Sequence, residues 1–361
     1  MTERSISHRQ EPSDQALLDR LPVLDRFLPL WILLAMAGGL ALGRLFPALQ
    51  ASLDAVKVGQ TSLPIALGLL LMMYPVLAKV HYGELSHVGR DRKLMRLSLW
   101  FNWVLGPLLM FTLAWVFLPD LPGYRTGLIV IGLARCIAMV LIWNDLACGN
   151  REVATLLVAI NSVFQILAYA LLGTFYLKVL PTWLGLDSQD VVFSTGEISK
   201  AVLIFLGIPL LAGALTRWLG VRLKGERWYE TRLLPRLSPW ALYGLLFTIV
   251  VMFALQGQAI MSNPVQVARV ALPLLLYFLI MWTLALIWSQ RAGLDYARST
   301  AVAFTAAGNN FELAIAVSIG VWGVTSQQAL AGVVGPLIEV PVLVSLVYVA
   351  LWLKPRLWRS R

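Results

Sequence analysis

The residues of this chain that can do chemistry stand inside long apolar stretches, where polar side chains are expensive. Arg135, Cys136, Asn144 and Asp145 share one stretch, and Asn309, Asn310 and Glu312 interrupt another. Asn161 and Gln165 lie in a third, and Glu339 in the last. A cysteine thiolate is a soft ligand for a thiophilic species, and it binds only when deprotonated. The other reading of Cys136 is a small buried hydrophobe, the common state of a cysteine outside a disulfide. Glu312 and Glu339 read by default as proton- or cation-handling groups, because carboxyls in membrane spans seldom have another use. Their alternative is a neutral group hydrogen-bonded between helices. The amides of Asn309, Asn310 and Asn161 serve equally well as oxygen ligands or as interhelical glue. A Cys136–Cys148 disulfide is excluded: twelve helical residues span about 18 Å, against a Cα limit of about 7 Å.

The elements that must position these groups follow from composition. Of 361 residues, 59% are hydrophobic and 13% charged, where a soluble domain carries about 45–50% apolar and about 25% charged residues. A soluble enzyme, a disordered chain and a disulfide-stapled scaffold are all excluded. Ten apolar runs are long enough to span a bilayer: about 27–46, 60–80, 98–118, 126–147, 153–177, 198–219, 239–258, 267–288, 299–321 and 328–353. They are too long and too uniformly apolar for an outer-membrane barrel. With the N-terminus inside, the cytoplasmic segments hold twenty Lys and Arg residues and the opposite loops three, Lys57, Arg125 and Lys178. That asymmetry is the positive-inside bias. The net charge of +10 is therefore topological, and nucleic acid is not expected as a partner. Residues 1–26 are too polar for a signal peptide, and 15–25 carry the pattern of either an interfacial helix or a tail. Both termini, including the basic tail 354–361, are expected in the cytoplasm.

Polar residues recur in the fourth and fifth spans of each group of five. Five is odd, so a repeated half re-enters the membrane upside down, the inverted-repeat plan of many secondary transporters. The halves are expected at 27–179 and 198–353. Cys136, Glu312 and Glu339 each sit roughly 15–20 Å from a membrane face at about 1.5 Å per residue. Gly308 with its two asparagines points to an unwound stretch in the ninth span, and Pro336 and Pro341 bracket Glu339 with helix breakers. Irregular backbone at that depth survives only when buried in protein or facing water. Fourteen tryptophans and ten tyrosines read mostly as interfacial anchors.

No Gly-x4-Gly-Lys-Ser/Thr motif is present, so the chain itself is no ATP motor. His-Glu-x-x-His and Gly-x-Ser-x-Gly are absent, and the histidines (His8, His81, His87) lie outside the spans, which argues against a membrane-embedded enzyme. Four segments together resemble the arsenical-resistance arsenite efflux permeases, of the superfamily that contains the bile acid/sodium symporters. They are GLARCIAMV at 132–140 running into WNDLA at 143–147, AINSVFQ at 159–165, NNFELAIA at 309–316 and GPLIEVPV at 335–342. The likeness extends over about residues 25–355.

That resemblance implies an all-α polytopic fold of ten transmembrane helices with panel and core domains, the fourth and ninth helices being discontinuous. It implies export of arsenite across the bacterial inner membrane, driven by proton exchange. Its essential cysteine falls on Cys136 and its ninth-span acid on Glu312. The expected substrate site is Cys136, Asn309, Asn310, Glu312, Asn161 and Asn144, with Glu312 and Glu339 coupling protons and Arg135 and Gln165 in support. No cofactor is expected, and no metal beyond arsenic(III) at Cys136. Arsenite, protons and the lipid bilayer are the expected partners, with antimonite, a homodimer and an arsenic-stimulated ATPase subunit left open. The competing readings are a sodium-coupled symporter of a small organic anion, with Asn309, Asn310, Glu312 and Glu339 as ion ligands, and a membrane scaffold or receptor.

Overall fold

The computed structural model describes residues 28–358 apart from 47, 49–56, 59–60, 81–90, 138, 187–193 and 263. The interfacial helix expected over 15–25, the segment 1–26 and the last three residues of the basic tail lie outside the described residues. Among the described residues, apart from a short antiparallel pair, Lys57–Val58 with Thr61–Ser62, and one isolated bridge, the regular structure is helical. The helices are α1 (Leu28–Leu45), α2 (Leu63–Ala78), α3 (Arg92–Phe117), α4 (Pro122–Leu133), α5 (Val140–Leu146) and α6 (Arg151–Trp183). They continue with α7 (Thr195–Lys224), α8 (Leu234–Ser262), α9 (Pro264–Arg291), α10 (Tyr296–Ala307), α11 (Phe311–Trp322) and α12 (Gln327–Leu357).

Among the described residues, six helical stretches are long and apolar enough to cross a bilayer, and α1, α2 and α11 are shorter apolar helices. The chain is a multi-pass membrane protein. Large side chains such as Leu67, Leu171, Leu211 and Val265 are exposed. On a soluble surface they would be a liability, whereas lipid solvates them at no cost.

Proline shapes these helices in a regular way. The π turns Phe101–Leu105, Phe175–Val179, Leu203–Gly207 and Tyr229–Leu233 each precede a proline by two residues: Pro107, Pro181, Pro209 and Pro235. A proline ring clashes with the carbonyl four residues back, and that carbonyl falls inside the π turn each time. Widening the turn relieves the clash and lets the helix continue. The segment 220–238, between the sixth and seventh apolar runs, is helical almost throughout. It turns at Gly225, whose φ of 85° suits glycine, and Glu226–Trp228 restarts the helix at once. Arg217 bridges to Glu230 at 2.7 Å across that corner.

Packing gathers the helices into two groups, with α7 touching both: its first half lies against α6 and α11. In one, α8 lies against α1 and α2, and α7 against α2. In the other, α12 packs on α4, α9 and α11, α3 packs on α4, and α9 packs on α10. The prolines expected to disturb the backbone around Glu339 do not interrupt it: α12 runs through Pro336, Pro341 and Pro355. The stretches between α4 and α5 and between α10 and α11 are the ones that unwind.

Candidate functional site

The two interruptions meet. Ala134 leaves α4 with extended backbone (φ −84°, ψ 111°), and Gly308 leaves α10 in the same way (φ −68°, ψ 143°). The extended segments pair antiparallel, Arg135 opposite Asn309. Cys136 N donates to Gly308 O at 3.3 Å, and Asn310 N donates to Ala134 O at 3.0 Å. Unwound peptide groups at membrane depth need partners, and here each break satisfies the other. The C-terminal ends of α4 and α10 and the N-terminal end of α11 flank this pairing.

Cys136 is 3% exposed and lies against Gly308. A Cβ at Gly308 would stand 3.0 Å from the Cys136 Cβ and 3.5 Å from its sulfur, so the absence of a side chain there lets the thiol approach the break. Arg135 and Cys136 both lie beyond the end of α4, in the stretch before α5. Neither cysteine forms a disulfide. Cys148 is half-buried, with a φ of 55°.

Around the crossing, Arg135 N donates to Gln165 Oε1 at 2.9 Å, and Gln165 Nε2 donates to Asn161 O at 3.1 Å. Asn161 Nδ2 reaches Asn102 Oδ1 at 3.5 Å. Asn309 is held twice: its N donates to Glu339 Oε1 at 3.2 Å, and its Nδ2 to Ile131 O at 2.7 Å. Asn310 caps α11, its Oδ1 accepting from Leu313 N at 3.0 Å. The Arg135 guanidinium donates to Tyr277 Oη at 2.8 Å, to Ala306 O at 3.4 Å and, very closely, to Gly132 O. Three buried atoms at the crossing have no hydrogen-bond partner: Arg135 Nε, Asn309 Oδ1 and Asn310 Nδ2. Buried polar atoms rarely go unpaired, so these are positions where a small polar guest would be welcome.

Two expected residues also face other surroundings. Glu312, in the first turn of α11, lines a cleft between the helix groups, together with Ile315 and Pro336 and, on the facing side, Met36, Thr248 and Met252. Asn144 sits further along α5 against Gly149, beside the Asp145–Arg151 ion pair. Sequence reasoning passed over Tyr277, Gly106 and Asn102. Tyr277 follows three leucines in an apolar run, where an aromatic ring is ordinary, and Gly106 acts only through what approaches it. No group of three His, Cys, Asp or Glu side chains able to hold a metal ion occurs among the described residues.

Residues 66–263 match the model of the Sodium Bile acid symporter family. The chain is 59% identical to the arsenical-resistance protein Acr3 of Corynebacterium glutamicum over 94% of its own length and 92% of that protein's. It is 30% identical to an arsenical-resistance protein Acr3 of Alkaliphilus metalliredigens, over 90% and 92%. An uncharacterized transporter of Synechocystis is 34% identical over 91% and 88%. With two interrupted helices paired through their backbones and this extent of identity along nearly its whole length, the chain belongs to the Sodium Bile acid symporter family, in its Acr3 arsenical-resistance group, and is a transporter rather than an enzyme.

Proposed function

We propose that this protein exports arsenite from the cytoplasm in exchange for protons, by alternating access. The observation that carries the reading is the Cys136 thiol, buried against Gly308 at the crossing of a chain so similar to an arsenical-resistance protein. Near neutral pH arsenite is mostly the uncharged trihydroxide, a small polar molecule with a thiophilic centre. One sulfur with oxygen and amide partners, Asn309 Oδ1 and Asn310 Nδ2 among them, gives a hold that is selective and reversible. Three thiolates would retain the cargo too tightly for turnover.

In this reading the helices make ten crossings in two inverted halves, 27–179 and 198–353, with α4–α5 and α10–α11 each counting as one broken span. The group α1, α2, α7 and α8 is the panel, and the remaining helices are the core. Both termini face the cytoplasm of a bacterial cell. Glu312 faces the cleft between the groups, and Glu339 holds the break through Asn309. A carboxyl that gains a proton as cargo leaves couples the two movements, and Glu312 is assigned that exchange, with Glu339 in reserve.

Everted vesicles or proteoliposomes carrying the full chain test this. Arsenite flux is expected to follow an imposed proton gradient and to vanish in Cys136→Ser. The family description favours a second reading, sodium-coupled symport of a small organic anion. Flux that follows a sodium gradient instead would select it.

A further inference from the structure

We infer that Arg135 is a tethered cation: its guanidinium occupies a place between two helix C-termini that would otherwise suit a free alkali ion, and this makes the carrier independent of sodium. The last carbonyls of a helix carry partial negative charge, and in carriers with broken helices such ends coordinate the coupling cation. Here the ends of α4 and α10 both turn carbonyls, Gly132 O and Ala306 O, onto one guanidinium. Tyr277 Oη from α9 is its third partner, at 2.8 Å. None of the three is a carboxylate, yet Arg135 is fully buried. A buried charge left without an acid is costly, and converging carbonyl dipoles supply what an acid would.

The niche is shaped for this group. A Cβ on Gly106 of α3 would stand 2.7 Å from Arg135 Nη1 and 3.1 Å from Tyr277 Oη, so α3 leaves room where the guanidinium lies. Four elements thus enclose one planar cation. The guanidinium is covalently tethered to the chain, so it neither binds nor leaves during a cycle. It fills a cation's place without being able to serve as the coupling ion.

The test uses the full chain, in proteoliposomes for arsenite flux and in detergent for thermal unfolding, with sodium, guanidinium or choline as the chloride salt. For the natural sequence, flux and unfolding midpoint are expected to be the same in sodium and in choline. Arg135→Ala is expected to lose flux about tenfold or more in choline, the loss of one charged hydrogen bond being enough for that. Sodium or guanidinium should restore both its flux and its midpoint. Arg135→Lys, which keeps a charge on a different stem, is expected to stay indifferent to sodium and carries the comparison if Arg135→Ala does not accumulate. Three results would overturn the inference: a natural-sequence midpoint or flux that rises with sodium, an Arg135→Ala that works normally in choline, or a folded Arg135→Ala that no cation improves. The inference leans on the arsenite reading only through the flux arm. Absence of arsenite flux under every condition would sink that reading and leave the midpoint comparison to decide this one.

Discussion

Replacing Cys136 by serine exchanges one sulfur for one oxygen in a buried corner, so the fold is expected to persist while the affinity for a thiophilic cargo is lost. Arsenite tolerance in a sensitised host should disappear with a normal level of protein in the membrane, and retained tolerance would remove the sulfur from the mechanism. Glu312→Gln keeps the shape of a side chain that lines the cleft but cannot titrate. Its arsenite flux is expected to lose its dependence on the proton gradient, measured as rate against imposed pH difference. Asn309→Ala removes the donation to Ile131 O at 2.7 Å and leaves that carbonyl with the Ala134 N–H alone, the loss of one hydrogen bond, about 0.5–1.5 kcal/mol. A lower unfolding midpoint in detergent would register it. Cys136, Glu312 and Glu339 were legible in the sequence because a polar atom inside an apolar run is costly to keep. Tyr277 and Gly106 were not. A tyrosine among leucines is accounted for by packing, and a glycine that makes room is recognisable only from what occupies the room.

At the level of elements, the two interruptions show what a sequence does and does not reveal. Gly308, Asn309 and Asn310 announce the break after α10, since glycine and asparagine are poor helix formers. The break after α4 is spelled Ala134, Arg135, Cys136, Ile137, with ordinary helix residues that give no such signal. It exists because its partner strand at 308–310 offers backbone hydrogen bonds in place of helical ones. The converse holds at Glu339, where Pro336 and Pro341 read as breakers yet α12 stays helical. Ser345 Oγ donates to Pro341 O at 2.8 Å, the i−4 back-bond of a helical serine. The closeness of Gly308 to Cys136 gives a test at this scale. Gly308→Val places branched bulk against the thiol and is expected to abolish transport, whereas Gly38→Ala, with nothing within 4 Å of the added carbon, should transport normally. Equal flux from both variants would show that the fit at the crossing does not matter.

Over the whole molecule, Asp120, in the short turn between α3 and α4, is clasped by Arg269 of α9 through two hydrogen bonds, one of 2.8 Å. Those bonds hold the Asp120 carboxyl down at about 2, from its ordinary 3.8. A depressed carboxylate stabilises the fold above its ordinary value, and that contribution disappears as pH falls through the depressed one. Asp120→Asn is therefore expected to unfold slightly earlier than the natural sequence near neutral pH, with the two midpoints converging as pH falls from about 4 toward 2. Parallel curves over that range would show that the clasp contributes nothing. The division into two helix groups was not legible from spans alone, because hydropathy gives the length of an apolar helix and not its neighbour. The X at the centre of the protein is stitched by peptide groups, Cys136 to Gly308 and Asn310 to Ala134, and peptide groups are common to every amino acid. A substitution at Cys136 or Asn310 is therefore expected to change what the crossing can hold while leaving these two backbone bonds in place.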